Sequence, residues 1–218
     1  MRAVIFANGE LHYPEHVRAL LRPDDALIAA DGGARHCMAL ALSPAVVIGD
    51  FDSLSEAELA ALQSNGAEII RHPSNKDETD LELALLHAKQ IGATEVVVLA
   101  ALGARWDQTL ANILLLTHPK LSSMHIELVE GRQRIYAIKA QGVIRAQPGD
   151  IVSLIPVGGD ASGVITDGLK FPLNNETLYF GTTRGISNVL LNSQARVEVK
   201  HGVLLCVVGR EVPEHGIR

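Results

Sequence analysis

Short apolar runs at residues 3–7, 26–30, 46–48, 68–70 and 95–99 alternate with segments of helical period through the first half of the chain. This alternation predicts βαβ units around a parallel sheet, with each run a strand and each periodic segment a crossover helix. Two helix starts carry their own signals. Ser55-Glu56-Ala57-Glu58 and Thr79-Asp80-Leu81-Glu82 match a capping box, in which the Ser or Thr oxygen takes an orphan amide and the Glu reaches back to the cap. Leu81, Ala84, Leu85 and Ala88 then form one apolar stripe. Beyond about Leu116 the texture changes to short β-type runs at 126–129, 134–138, 143–145, 151–155, 164–166, 178–180, 196–199 and 203–208, punctuated by Gly and Pro. Such spacing predicts an antiparallel sandwich or barrel. The polar stretch 118–123, with Pro119, marks the expected boundary. The fold class is thus an α/β parallel-sheet domain over 1–120 followed by an antiparallel β-sandwich over 121–218, with no internal repeat.

Composition narrows the partners. With 218 residues and 47% hydrophobic content the chain can bury a sizeable core, and a net charge of -6 disfavours nucleic acid on electrostatic grounds. Cys37 and Cys206 are far apart and outside any C-x-x-C, which suggests reduced thiols rather than a disulfide framework or zinc ribbon. The first apolar run turns polar at Asn8-Gly9-Glu10, too short for a signal peptide, and no run approaches a membrane span. The expectation is a cytoplasmic protein.

Ligands of open α/β sheets gather outside the carboxyl ends of the strands, and each predicted strand here is followed by polar groups suited to that place. Asn8-Gly9 follows the first, Asp31-Gly32-Gly33 the second, Asp50-Phe51-Asp52-Ser53 the third, Lys76-Asp77-Glu78-Thr79-Asp80 the fourth and Gly103-Ala104-Arg105-Trp106-Asp107-Gln108 the fifth. Asp50 and Asp52, two apart, aim both carboxylates to one side if the loop is extended, and paired carboxylates repel unless a hard cation such as Mg²⁺ compensates them. Asp31 and Gly32 offer a carboxylate and a close backbone approach, leading into a helix whose first amides suit a phosphate. Asp77 and Asp80 share a face at a helix start, a place the helix dipole also favours for acids without any function. Arg105 has the planar fork to hold phosphate oxygens, with Asp107 and Gln108 able to orient it. Trp106, Phe171 and Tyr179 read as packing residues, His12 and His16 as surface groups separated by Pro14, and Ser187-Asn188 as ligand donors or a plain turn. No P-loop, no G-x-G-x-x-G and no G-x-S-x-G nucleophile elbow is present.

The ordered set Ala30-Asp31-Gly32-Gly33-Ala34, Ile48-Gly49-Asp50-Phe51-Asp52-Ser53, Lys76-Asp77-Glu78-Thr79-Asp80, Gly103-Ala104-Arg105-Trp106-Asp107-Gln108, Asp167-Gly168-Leu169-Lys170-Phe171-Pro172-Leu173 and Gly185-Ile186-Ser187-Asn188 resembles the thiamine pyrophosphokinase family through nearly the whole chain. The resemblance implies a nucleotide-binding α/β domain, a β-sandwich that binds thiamine and dimerises, and a homodimer with the active site at the subunit interface. It implies transfer of a pyrophosphoryl group from Mg²⁺-bound ATP to thiamine, leaving AMP. By position it implies metal and phosphate handling at Asp50, Asp52 and Asp80, with Asp31, Gly32, Asp77 and Thr79 close by. It further implies a nucleotide loop at Arg105, Asp107 and Gln108, and thiamine contacts at Ser187 and Asn188. Two other classes share parts of this pattern: a non-catalytic nucleotide or vitamin sensor, and a metal-dependent nucleotide phosphohydrolase using water as acceptor.

Overall fold

Residues 1–210 are described by the computed structural model, and they divide into two compact units, Met1–Gly131 and the chain from Arg132 onward. In the first unit the apolar runs become β1 (Arg2–Phe6), β2 (Ala26–Ala30), β3 (Val46–Gly49), β4 (Glu68–Arg71), β5 (Glu95–Leu99) and β6 (His125–Glu130). They pair in parallel in the order β4-β3-β2-β1-β5-β6. The crossovers carry α1 (Pro14–Leu20), α2 (Gly33–Ala39), α3 (Glu56–Ser64), α4 (Asp80–Gln90) and α5 (Trp106–Leu114). Strand order reverses between β1 and β5, so a crevice opens where their following loops diverge. Burial explains the continuous apolar runs: Ala3, Val4, Ile5 and Phe6 are wholly inaccessible, as expected of a central strand covered on both faces. The α4 stripe of Leu81, Ala84, Leu85 and Ala88 is buried as its period predicts, with α4 packed on β1, β2 and β3.

The first capping box is complete. Ser55 Oγ accepts from Glu58 N at 3.3 Å and Glu58 Oε2 accepts from Ser55 N at 2.7 Å. Arg35 of α2 adds two hydrogen bonds to the same carboxylate, 2.7 Å to Oε1 and 3.2 Å to Oε2. Led by the Arg35 bonds, this network pulls the Glu58 acid down to about 2. A carboxyl lowered on folding stabilises the native state above its unfolded value, and that contribution is lost as pH falls towards the folded one. Acid unfolding of the wild type should therefore show a component between roughly pH 4.5 and 2 that Glu58→Gln lacks, as followed by circular dichroism; superimposable acid profiles would remove Glu58 from this role. The second box is half formed. Thr79 Oγ1 accepts from Glu82 N at 3.2 Å, but Glu82 turns to His118 Nε2, 3.4 Å away. His118 caps a 3₁₀ turn, and this lateral partner competes for the carboxylate that would otherwise close the box.

The division falls at Gly131 rather than at 120. Residues 126–129, expected in the second domain, are the heart of β6, whose Ile126 and Leu128 pair in parallel with Val96 and Val98. A short alternating run looks the same whether its neighbour is parallel or antiparallel, so its texture misassigned it. Proline 119 interrupts only a pair of 3₁₀ turns, Leu115–Thr117 and Pro119–Leu121. The last positions of the expected second domain, 211–218, lie outside the described residues. No helix among the described residues is long and apolar enough to cross a membrane.

The second unit is antiparallel, with β7 (Gln133–Ile138), β8 (Gln141–Arg145), β9 (Ile151–Asp167), β10 (Asn174–Leu178), β11 (Asn188–Val189), β12 (Gln194–Glu198) and β13 (His201–Gly209). Two predicted strands, 151–155 and 164–166, are halves of the single 17-residue β9. Its first half pairs with β13 and its second with β12 and β10, so one strand serves both sheets. The change of sheet comes at Gly158 and Gly159, with φ of 73° and 148°, backbone that a side chain would resist. Tyr136, Ile144, Leu154, Val164, Leu178, Val197 and Leu204 meet in the core of this unit. The strand expected at 178–180 lies earlier, in β10. Tyr179 and Phe180 are each 59% exposed; their aromatic β propensity mimicked a strand signal that packing does not use.

Candidate active site

At the carboxyl end of the parallel sheet the β1, β2, β3, β4 and β5 loops surround a cleft of about 610 Å³. That volume suits a small ligand, and every residue lining it belongs to the first unit. One carboxylate oxygen from each of Asp31, Asp50 and Asp52 lies within 4.8 Å of the others.

Asp31 follows β2 in left-handed backbone, φ 45°, its amide donating to Ile48 O at 2.8 Å. It is only 3% exposed, and Oδ1 has no hydrogen-bond partner while Asn8 Nδ2 stands 3.5 Å from Oδ2. Room for this side chain comes from Gly49 of β3, where an added Cβ would lie 2.9 Å from Asp31 Cβ. The Asp50 and Asp52 carboxylates do converge, though not through an extended loop. Phe51 takes φ 64°, its ring buried beneath Arg71, and the turn lets Asp52 N donate to Asp50 Oδ1 at 3.2 Å. That amide bond holds the Asp50 acid below the ordinary carboxylate range, with burial opposing it and the Lys76 charge assisting.

Asp80 begins α4, at 27% side-chain exposure, outside the tight trio. Lys76 joins it to Asp50, its Nζ 3.0 Å from Asp80 Oδ1 and 3.6 Å from Asp50 Oδ2. Burial raises the Asp80 acid despite the lysine, and the charges of Asp31 and Asp50 push the same way. Asp77 is exposed and does not line the cleft. Thr79 does line it, but its hydroxyl oxygen is the α4 cap. At Gly32 an added Cβ would stand 2.2 Å from Asn8 Oδ1, so a protein contact alone requires the glycine. Of the first amides of α2, Ala34 N is bonded to Asp31 O and Arg35 N to Gly32 O.

Arg105 occupies the N-cap position of α5 without a side-chain capping bond and extends 72% exposed from the cleft wall, held in a fork by Asp107 with bonds of 3.2 and 2.6 Å. Gln108 lines the cleft beside it. Trp106, expected to pack, is instead 81% exposed, as are Leu110 at 59% and Leu114 at 51% on the same side of α5. In the second unit, Asn188 braces a neighbouring loop, accepting from Phe171 N at 3.0 Å and donating to Phe171 O at 2.7 Å. Ser187, at φ 59°, donates its amide to Ser153 Oγ at 3.0 Å. Phe171, also expected to pack, is 60% exposed.

Residues to which sequence reasoning gave no individual role beyond membership of a rim loop, or none at all, complete the cleft. Asn8 Nδ2 donates to Ser53 Oγ at 3.2 Å and so ties the β1 loop to the β3 loop. Asn112, 8% exposed, donates to Ala101 O at 2.7 Å and leaves Oδ1 without a partner. Its signal was a single amide on the inner side of a helix. Lys76 carried no signal beyond membership of an acidic loop.

A parallel sheet with a switch-point cleft, carboxylates from separate βα turns and an attached antiparallel unit defines an α/β protein built to handle a small, charged ligand. Residues 17–128 match the thiamin pyrophosphokinase catalytic domain and 139–204 the thiamin pyrophosphokinase vitamin B1 binding domain. The chain belongs to the thiamine pyrophosphokinase family. It is 28% identical over 182 residues to thiamine pyrophosphokinase of Bacillus subtilis, spanning 83% of this chain and 85% of that one. Thiamine pyrophosphokinase 1 of rice (Oryza sativa subsp. japonica) is 29% identical over 166 residues, 71% of this chain and 62% of the plant protein. The crystal structure of the Bacillus subtilis enzyme superposes with a TM-score of 0.86 at 25% identity, covering 97% of this chain and all of that one. The Candida albicans enzyme, at 18% identity, shares the fold with a TM-score of 0.81 over 96% of this chain and 89% of its own.

Proposed function

We propose that the protein transfers a pyrophosphoryl group from Mg²⁺-bound ATP to the hydroxyl of thiamine, giving thiamine diphosphate and AMP. The observation that carries this reading is the convergence of Asp50 on Asp31 and Asp52, the two that line the cleft, with a buried Asp31 oxygen lacking any hydrogen-bond partner. A buried, unsatisfied carboxylate oxygen is costly unless a cation completes it, and an all-oxygen donor set suits a hard divalent ion. These residues therefore fit Mg²⁺, with Asp50 and Asp52 as two ligands and Asp31 as the third in place of Asp80. Bound there, Mg²⁺ would neutralise and polarise phosphate oxygens.

The remaining work falls to the chain's own groups. Arg105, pre-oriented by Asp107, offers its fork to phosphate oxygens, and Gln108 and Thr109 line the same wall. The thiamine hydroxyl oxygen attacks the β-phosphorus in line while the bond to the oxygen bridging the α-phosphorus breaks, and AMP leaves. Asp80, its acid raised by burial, is suited to receive the hydroxyl proton, a role that the exposed Asp77 is poorly placed to fill. Positioning and charge stabilisation carry the rate, so no covalent nucleophile is required.

The second unit, with Ser187 and Asn188 on its loops, binds thiamine in this reading, in keeping with the vitamin B1 binding match over 139–204. A homodimer with the active site at the subunit interface belongs to the same reading, supported by the unpartnered apolar stripe of Trp106, Leu110 and Leu114. Cytoplasmic residence belongs to the same reading, in keeping with a buried Cys37 that is not disulfide-bonded. Incubation with Mg²⁺ and ATP, with and without thiamine, tests the whole. AMP should appear only with thiamine; release without it would indicate a hydrolase, and no turnover a sensor.

A further inference from the structure

We propose that Lys76 is the resident counter-cation of the acidic rim, bridging Asp50 and Asp80 in the metal-free protein and competing with any divalent ion that arrives without a nucleotide. The inference rests on the metal-site reading above and adds a residue and an order of events to it.

Lysine is rarely withdrawn from water, yet this side chain is only 12% exposed and spans two carboxylates, 3.0 Å from Asp80 and 3.6 Å from Asp50. Helix preference does not put it there. Lys76 lies just ahead of the α4 N-terminus, where the helix dipole disfavours a cation, so the surrounding carboxylates dictate its place. Four acids, Asp31, Asp50, Asp52 and Asp80, crowd the rim, and of the salt bridges among the described residues only those of Lys76 reach any of them. An ammonium is a compact charge on a flexible stem, able to let go of one anion and take another without moving the backbone.

Two consequences follow from charge alone. A bare divalent ion must displace or share oxygens with the ammonium, so free-metal binding is weakened. A metal that carries phosphates brings a replacement anion for the displaced ammonium, so the metal–nucleotide complex is favoured over the ion alone. Lys76 is in this sense a positioning residue that selects the loaded form of the metal.

The test measures binding rather than turnover. Binding of Mn²⁺ alone, and of Mn²⁺ with ATP in the absence of thiamine, is followed by electron paramagnetic resonance for wild type, Lys76→Met, Lys76→Gln and Lys76→Arg. Losing the charge should tighten free Mn²⁺ binding by roughly tenfold and weaken binding of the Mn²⁺–ATP complex by a similar factor, while Lys76→Arg stays near wild type. A merely structural role moves both affinities the same way. Melting in chelator and in Mn²⁺ provides an independent measurement, since Lys76→Met should gain more stability from the ion than wild type does. Unchanged or weaker free Mn²⁺ binding in both charge-removed variants overturns the role of Lys76 and leaves the metal site standing. Absence of Mn²⁺ binding in every protein, with or without ATP, overturns both.

Discussion

Asp50→Ala should lower thiamine-dependent AMP release by on the order of a hundredfold or more, with the far-UV spectrum unchanged. The magnitude follows from where the charge sits. Asp50 shares its surroundings with Asp31 and Asp52, is held ionised by the Asp52 amide, and has a second tie to Lys76. Removing it takes a ligand from the proposed metal and, at the same time, one of the two carboxylates that hold Lys76. Asp50→Asn separates charge from shape, because the amide oxygen can still accept from Asp52 N while the negative charge is gone. Both variants should lose turnover alike if charge is what matters. Near-normal AMP production by either would remove Asp50 from the mechanism.

Replacing Gly33 by alanine should cost about 3 kcal/mol, the upper part of the range for overpacking a core. The added Cβ would stand 2.0 Å from Phe6 O and 2.6 Å from Phe6 C, backbone atoms of β1 at the centre of the sheet. No rotamer change can relieve a clash with backbone, so α2 must move away from β1, taking Asp31 with it. A chain of this length should then melt lower by roughly 6–12 °C and lose activity. Gly66→Ala is the control. Its φ of 92° carries strain but nothing lies within 4 Å, so its cost should stay near 1 kcal/mol. Calorimetry that ranks the two in the opposite order would refute the packing account of α2 and β1.

The acidic rim was legible because continuous apolar runs announce parallel strands, and parallel strands deliver their following loops to one edge. Asp31, Asp50 and Asp52 could be grouped on that ground, and they meet. The means of meeting was not legible: a left-handed Phe51 with its side chain in the core turns the loop, which a two-residue spacing does not reveal. Gly32 was read as a close backbone approach to a ligand, and nothing in the local sequence showed that Gly32 and Gly33 also make room for Asn8 and β1. Asp80 was counted with the metal ligands on the family resemblance, and linear order gave no sign that its nearest charge is the Lys76 ammonium. Trp106 illustrates the converse error, since a lone tryptophan suggests a core position and this one is mostly exposed.

Local rules thus settled the element types, the Ser55 cap, the α4 stripe and the edge where chemistry gathers, because each depends on periodicity or on neighbours three or four residues apart. Long-range placement settled the rest. β6 joins the first sheet through pairing with β5, β9 changes sheets at two glycines, and Lys76 links the carboxylates of two different loops. Such outcomes depend on which distant backbone or charge lies within a few ångströms, and linear order carries no record of that distance.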